Sequence, residues 1–291
     1  MFEYTEYSIA PWGYEIVAYF FLIGTASMVF VLAAAPNVFG GVAKVMEPFQ
    51  KKGILVALAI LVVCVPLLIA DLGQPSRFLY PIVYFHWTSP LSWGSLFLPL
   101  FGLCIVGFFY GLAFNKPNLL KPLGIIGSLL ALSMPLYTGL DLMVNQAREL
   151  WSTPTIPVLF VILSMSSGTG LSAIILFLGN GLTPQVTQLL RFILFISVGT
   201  TLALFLAEWM ALSYGTEEQQ HAGQFIMNEF GVRFWLLTLV VGILIPLALV
   251  AVPKLAKDPK LVTLAGVLSA VGAYSFRDVL IHAGQLPQLF F

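Results

Sequence analysis

Residues 53–71 read GILVALAILVVCVPLLIAD, eighteen residues with no charged or amide side chain before Asp71 closes the run. A helix needs about 20 such residues to cross the ~30 Å hydrocarbon core of a bilayer, where no water can satisfy a broken backbone. The same reading recurs along the chain. Apolar runs at 14–35, 90–114, 120–144, 155–178, 188–213, 231–252 and 261–283 bring the total to eight. The expected fold is therefore an all-α integral membrane protein with eight transmembrane helices. An even number of crossings puts both termini on one side. No internal repeat marks a boundary, so helix count alone suggests two four-helix bundles, 1–144 and 145–291, with the 145–154 loop as their seam.

Composition agrees. Hydrophobic residues make up 59% of the chain and charged residues 9%, against roughly 25% charged in a water-soluble domain. A net charge of zero leaves no basic face for nucleic acid. Cys64 and Cys104 both fall inside apolar runs, which argues against a disulfide framework and against iron–sulfur ligation by this protein. The opening MFEYTEYS carries Glu3 and Glu6 and no positive charge, unlike a cleavable signal peptide.

Charge placement gives the orientation. All eight lysines lie in three connections, Lys44/Lys51/Lys52, Lys116/Lys121 and Lys254/Lys257/Lys260, which the alternation of spans puts on one side. Lys and Arg accumulate in cytoplasmic loops. The lysines plus Arg191, nine of 13 basic residues, then fall inside, and both termini face outward, periplasmic in a Gram-negative cell. Trp12, Trp87, Trp93, Trp151, Trp209 and Trp235 all sit near outer helix ends, either as a skewed aromatic belt or as part of a docking surface.

An ionisable residue inside a span is costly unless paired or hydrated, and is a functional candidate by default. Glu15 opens the first helix, Asp71 closes the second and Asp141 lies one turn inside the fourth, all toward the outer surface. Tyr137, four residues before Asp141, projects from the same helix face about 6 Å deeper. With Arg77 as the nearby cation these acids are not mutually neutralised, and repulsion should raise at least one carboxyl toward the range useful for proton exchange. A lipid-accessible pocket of this kind suits a quinone: the tyrosine donates to a ring oxygen and a carboxylate exchanges the accompanying proton. In the second half, Glu208, Arg233 and Asp278 fall at similar depth and are expected to cluster with Arg277 nearby, as an ion-pair network or as a proton relay.

The remaining signals narrow the chemistry. His86, His221 and His282 all lie near the outer surface, so a bis-histidine haem sandwich is not expected. Neither a Gly-rich phosphate loop nor a zinc-ligand spacing occurs. The protein is expected to take quinone as substrate, to hold no haem and no metal, and to exchange electrons with another subunit. Hydroxyls do occur at mid-span, on Ser164, Ser166, Ser167, Thr169, Ser172, Ser197, Thr200 and Thr201, either satisfying helix backbones or lining a water path. The inner leaflet carries almost no ionisable group, so proton release on the quinol side is the simpler expectation.

The segments Asp71-Leu72-Gly73-Gln74-Pro75-Ser76-Arg77-Phe78, Ser89-Pro90-Leu91-Ser92-Trp93-Gly94-Ser95 and Tyr137-Thr138-Gly139 resemble the NrfD/polysulfide reductase (PsrC-type) membrane-subunit family. The resemblance covers the first four helices by motif and the last four by number and length. It implies an eight-helix, haem-free, quinone-reactive anchor in a bacterial or archaeal cytoplasmic membrane. Such an anchor docks a four-cluster, ferredoxin-like iron–sulfur subunit on its outer face, which serves a molybdopterin catalytic subunit. By the same resemblance Tyr137 is the quinone tyrosine and the Trp12–Tyr19 region contributes to its pocket. Tyr14 and Glu15 stand there in place of an Asn/His pair. The pocket is then expected from Tyr14, Tyr19, Arg77, Trp93 and Tyr137, with Asp141, Glu15 and Asp71 handling protons.

The expected function is thus exchange of electrons with menaquinol in anaerobic respiration, with polysulfide-, sulfur- or thiosulfate-type chemistry on another subunit. The rivals are a secondary transporter working through Glu208, Arg233 and Asp278, and a purely structural membrane anchor. Transporters usually place such groups at the bilayer midplane, whereas these lie off-centre.

Overall fold

The structure is a computed structural model in which residues 12–72, 74–146 and 148–285 are described. Glu3, Glu6 and Gly73 lie outside them. The described chain is 85% helical without strands. Eight helices are long and apolar enough to cross a membrane, as the hydropathy runs require. They are α1 (Tyr14–Val38), α2 (Gln50–Ala70), α3 (Pro90–Ala113), α4 (Pro117–Met143), α5 (Thr155–Leu178), α6 (Pro184–Tyr214), α8 (Val232–Ala251) and α9 (Pro259–Gly284). Between α6 and α8 lies α7 (Glu217–Glu229), short and polar.

Local chemistry sets several boundaries. Proline opens α3, α4, α6 and α9, where its missing N–H costs nothing and its fixed φ suits the first turn. The residue before it caps three of these helices: Ser89 accepts from the Ser92 N–H, Thr183 from Val186 and Asp258 from Lys260. These signals start α4 and α6 three to four residues earlier than hydropathy does. A 3₁₀ segment, Gly41–Phe49, leads into α2, and the polar stretch 214–230 between two apolar runs contains α7. Thr216 and Gln219 form a reciprocal capping box at its start, each satisfying an otherwise orphaned backbone N–H.

The first thirteen residues of α8, Val232–Leu244, are wound as π-helix. The wide turn leaves the Arg233 carbonyl accepting from two hydroxyls, Thr238 Oγ1 and Ser275 Oγ, each at 3.0 Å.

Two rings of helices share a wall. In one, α1 packs on α2 and α4, and α3 completes the circuit; in the other, α5 packs on α6 and α9, with α8 between those two. α1 and α5 also pack extensively on each other, and α5 on α4. Consequently α1, α5 and α9 are mostly buried, whereas α2, α3, α4, α6 and α8 turn large apolar surfaces outward. In water such surface would be prohibitive; in a bilayer it is lipid contact. At one end the two described limits of the protein meet: the Trp12 N–H donates to Gln285 Oε1 at 2.9 Å and Gln285 Nε2 donates to the Trp12 carbonyl at 2.7 Å. The lysines occupy the opposite end.

Candidate functional site

Within the α1–α4 ring a level of polar groups lies about 6–9 Å below the helix ends, on the side away from the lysines. Tyr19 of α1 and Tyr137 of α4 meet there, hydroxyl to hydroxyl. Both are buried, Tyr19 at 0% and Tyr137 at 6% exposure. Two O–H groups sharing one hydrogen bond leave one O–H able to donate elsewhere, so the pair is a buried donor in an apolar shell. Cys64 of α2, buried like the phenols, lies near both of them.

Gly94 of α3 makes room for this pair. A Cβ there would stand 2.6 Å from the Tyr137 Cζ, inside the ring's contact surface. Gly139, two residues beyond Tyr137, lets α4 close onto the Pro157 backbone of α5. Close approach at Gly94 is readable from its place in a span; that the aromatic filling the space is Tyr137 is not.

The acids form a rim above the phenols. Asp141 sits one turn nearer the helix end than Tyr137, half-buried, and acts on both phenols. Glu15, exposed at the start of α1, faces Asp71 at the end of α2. Partial burial, with the Glu15 charge second, holds the Asp71 carboxyl above its ordinary pKa. Its proton is thus held more tightly in the folded chain, and its contribution to stability falls as pH rises through the carboxylate range.

The other residues expected here are placed differently. Arg77, in a 3₁₀ turn at Pro75–Arg77, lies over the Tyr80 ring at 5.5 Å and makes no ion pair with Asp71 among the described residues. Trp93 joins an aromatic cluster with Phe85, Trp87 and Phe97, its indole N–H donating to the Trp87 carbonyl at 3.0 Å. Tyr14 is turned away from Tyr19. Five residues apart on a helix means about 140° around the axis, and the Tyr14 ring lies 4.8 Å from His282 instead.

The expected three-residue cluster divides. Arg233 pairs with Asp278 at 2.8 Å. Glu208, buried at 6% exposure, accepts instead from Thr153 Oγ1 at 3.1 Å and lines a small apolar cavity with Leu150, Phe234 and Phe276. Arg277, at 0% exposure, has no carboxylate partner among the described residues. It donates to the carbonyls of Ala273 and Phe160 and to Ser164 Oγ at 3.0–3.1 Å, over the Phe160 ring. The mid-span hydroxyls mostly donate to their own helix: Ser164 to Phe160, Ser166 to Leu163, Ser172 to Gly168 and Thr201 to Ser197.

Sequence reasoning missed Cys64 beside the phenols and Trp151, whose indole donates to the Leu280 carbonyl at 2.7 Å. Only the depth of Cys64, level with Tyr137, could have pointed to it.

Comparison with known proteins identifies relatives along nearly the whole chain. The family model described as polysulphide reductase, NrfD, matches residues 3–287. The C polypeptide of the polysulfide reductase of Wolinella succinogenes is 25% identical over 96% of this protein and 96% of its own length. The protein NrfD homolog of Haemophilus influenzae is 24% identical over 94% of both. An Hdr-like menaquinol oxidoreductase integral membrane subunit of Archaeoglobus fulgidus is 27% identical over 95% of this protein and 71% of its own length.

Proposed function

The chain belongs to the polysulphide reductase NrfD family, and from that premise we propose that it oxidises menaquinol at the Tyr19–Tyr137 pair and passes the electrons to a docked iron–sulfur subunit. The observation that carries this reading is the buried phenol pair with a half-buried carboxylate one turn above it. A quinol surrenders two protons with its two electrons. The free O–H of the phenol pair holds one ring oxygen, and Asp141, about 6 Å nearer the surface, takes the two protons one after the other at its carboxylate, passing the first outward before the second leaves the ring. Glu15 and Asp71 continue from there to water. Low polarity around the phenols strengthens the hydrogen bond to the ring oxygen and keeps water from competing for it.

Entry from the lipid is argued from packing. α2 and α3 touch each other less than α2 touches α1 or α3 touches α4, and the phenol pair sits behind that seam, beside Gly94. Gly94→Ala would push the Tyr137 ring aside and carry its hydroxyl with it, without removing the hydroxyl. Quinol oxidation should fall roughly ten- to a hundredfold, as a misplacement near 1 Å does, with the protein still folded and assembled. An unchanged rate would mean that Tyr137 is not positioned by α3.

The lysine-bearing end is read as cytoplasmic, which puts the site and both chain ends outward in a bacterial or archaeal cytoplasmic membrane. The catalytic subunit beyond the iron–sulfur protein is read as a molybdopterin enzyme of the polysulfide, sulfur or thiosulfate type. Purification of the intact complex from its native membrane tests the whole reading. Added menaquinol should reduce the clusters of a co-purifying iron–sulfur subunit. A preparation that holds such a partner yet leaves its clusters oxidised in menaquinol would overturn it.

A further inference from the structure

Glu208 of α6 is a buried acid that quinol oxidation at the tyrosines leaves unused. At 6% exposure it is walled off from water and lipid alike. Its Oε2 accepts from Thr153 Oγ1 at 3.1 Å. That hydroxyl in turn accepts from the Thr155 N–H at 3.2 Å, so its own proton is directed at Glu208 and Oε2 is fixed as an acceptor. The Thr155 hydroxyl is nearby, but Oε1 has no partner in hydrogen-bond geometry among the described residues.

The surroundings do not suit a charge. Glu208 lines a cavity of about 10 Å³ whose other walls, Leu150, Leu212, Ile226, Phe234 and Phe276 among them, are all apolar. The space holds one water at most, far short of the shell that hydrates a carboxylate. No cation is paired with it from the elements around. Arg233 of α8 pairs with Asp278 of α9 at 2.8 Å, and His282 lies on the same acid. Arg277 of α9 reaches the other way, to Phe160 and Ser164 of α5. In the 145–154 connection Arg148 donates to the Gly284 carbonyl, and Glu149 faces Glu218 of α7. His221 of α7 is exposed. A carboxylate at this place would have one hydrogen bond, no counter-ion and no hydration. Proteins avoid that state by keeping the proton on.

We propose that Glu208 is a proton-binding site of the second ring: Oε1 carries a proton at neutral pH, Oε2 is the carbonyl oxygen facing Thr153, and the proton exchanges with water past α7. The route follows from packing. α7 covers the cavity with Ile226, buries only Gly223 besides, and packs chiefly on α6. An element with so little buried surface opens at low cost. When it lifts, the Oε1–H bond breaks to water and re-forms from water, and no other bond changes. Infrared spectra of the intact complex at neutral pH, in H₂O and after transfer to D₂O, test the site. The parent spectrum minus that of Glu208→Gln should contain the C=O stretch of a protonated carboxyl, shifted down by deuteration. Thr153→Val should shift the same band up, because the carbonyl oxygen loses its donor. That variant decides the matter if Glu208→Gln fails to assemble, since an ionised Glu208 has no such band to move. A Glu208→Gln difference that holds only carboxylate stretches overturns the site, as does a Thr153→Val spectrum unchanged in the protonated-carboxyl region. A band that D₂O never shifts overturns exchange past α7. None of these outcomes touches the quinol reading, which uses other residues.

Discussion

Tyr137→Phe lowers menaquinol oxidation by the complex about 10²- to 10³-fold, the usual cost of deleting one positioned donor from a water-poor site. The ring stays wedged against Gly94, so assembly and yield should match the parent protein. The loss falls on kcat and on kcat/KM alike if the bond strengthens as the ring oxygen changes charge, and on KM alone if it only anchors the headgroup. Tyr19→Phe is the companion. Its hydroxyl touches Tyr137 rather than the α2–α3 seam, so it orients the other phenol and should cost less. The two hydroxyls act as a unit, so the double variant should be no slower than Tyr137→Phe by itself. Oxidation at the parent rate in Tyr137→Phe would reduce the protein to a structural anchor.

Depth was legible in the sequence. With a 1.5 Å rise per residue and alternating crossings, Tyr19, Cys64, Gly94 and Tyr137 can all be placed at one level. The placement of Tyr137 and Asp141 on one face follows from their spacing. Facing was less legible. Tyr14 and Tyr19 share a helix and nearly a depth, yet the 140° between them sends one to His282 and the other to Tyr137. Glu208 and Arg233 were expected to meet for the same reason, matched depth, but Thr153 supplies a nearer donor. Arg277 shows the limit of charge counting. Its neighbours are carbonyls and a serine hydroxyl, groups that every sequence has and that no pattern marks. The α7 helix could have been read: Thr216-Glu217-Glu218-Gln219 is a capping-box signature, outweighed by the polarity of the segment around it.

Packing among α5, α8 and α9 explains why small residues recur at the deepest crossings. Gly170 of α5 and Gly266 of α9 meet backbone to backbone: a Cβ on Gly170 would lie 2.6 Å from the Gly266 carbonyl carbon, with Gly266 Cα at 3.0 Å. Gly242 of α8 and Gly272 of α9 repeat the arrangement. In lipid no hydrophobic force pulls helices together, so association depends on this close van der Waals approach. Arg277 of α9 reaches Phe160 and Ser164 of α5, bonds that need the same separation.

Gly170→Val should therefore be among the most damaging single changes away from the tyrosines. The clash is with backbone, so no rotamer change relieves it, and α5 and α9 must move apart. Overpacking a tight core costs about 1–3 kcal/mol. Here the lost bonds from Arg277 to the Phe160 carbonyl and the Ser164 hydroxyl add to it. The expected result is a clear drop in thermal midpoint in detergent and poor recovery of the folded protein. Gly199 of α6, where a Cβ would meet nothing within 4 Å, is the control: Gly199→Ala should be neutral or stabilising by roughly 0.5–1 kcal/mol, the intrinsic helix advantage of alanine. A Gly170→Val variant that melts with its parent would mean that α5 and α9 are not held by contact at this crossing.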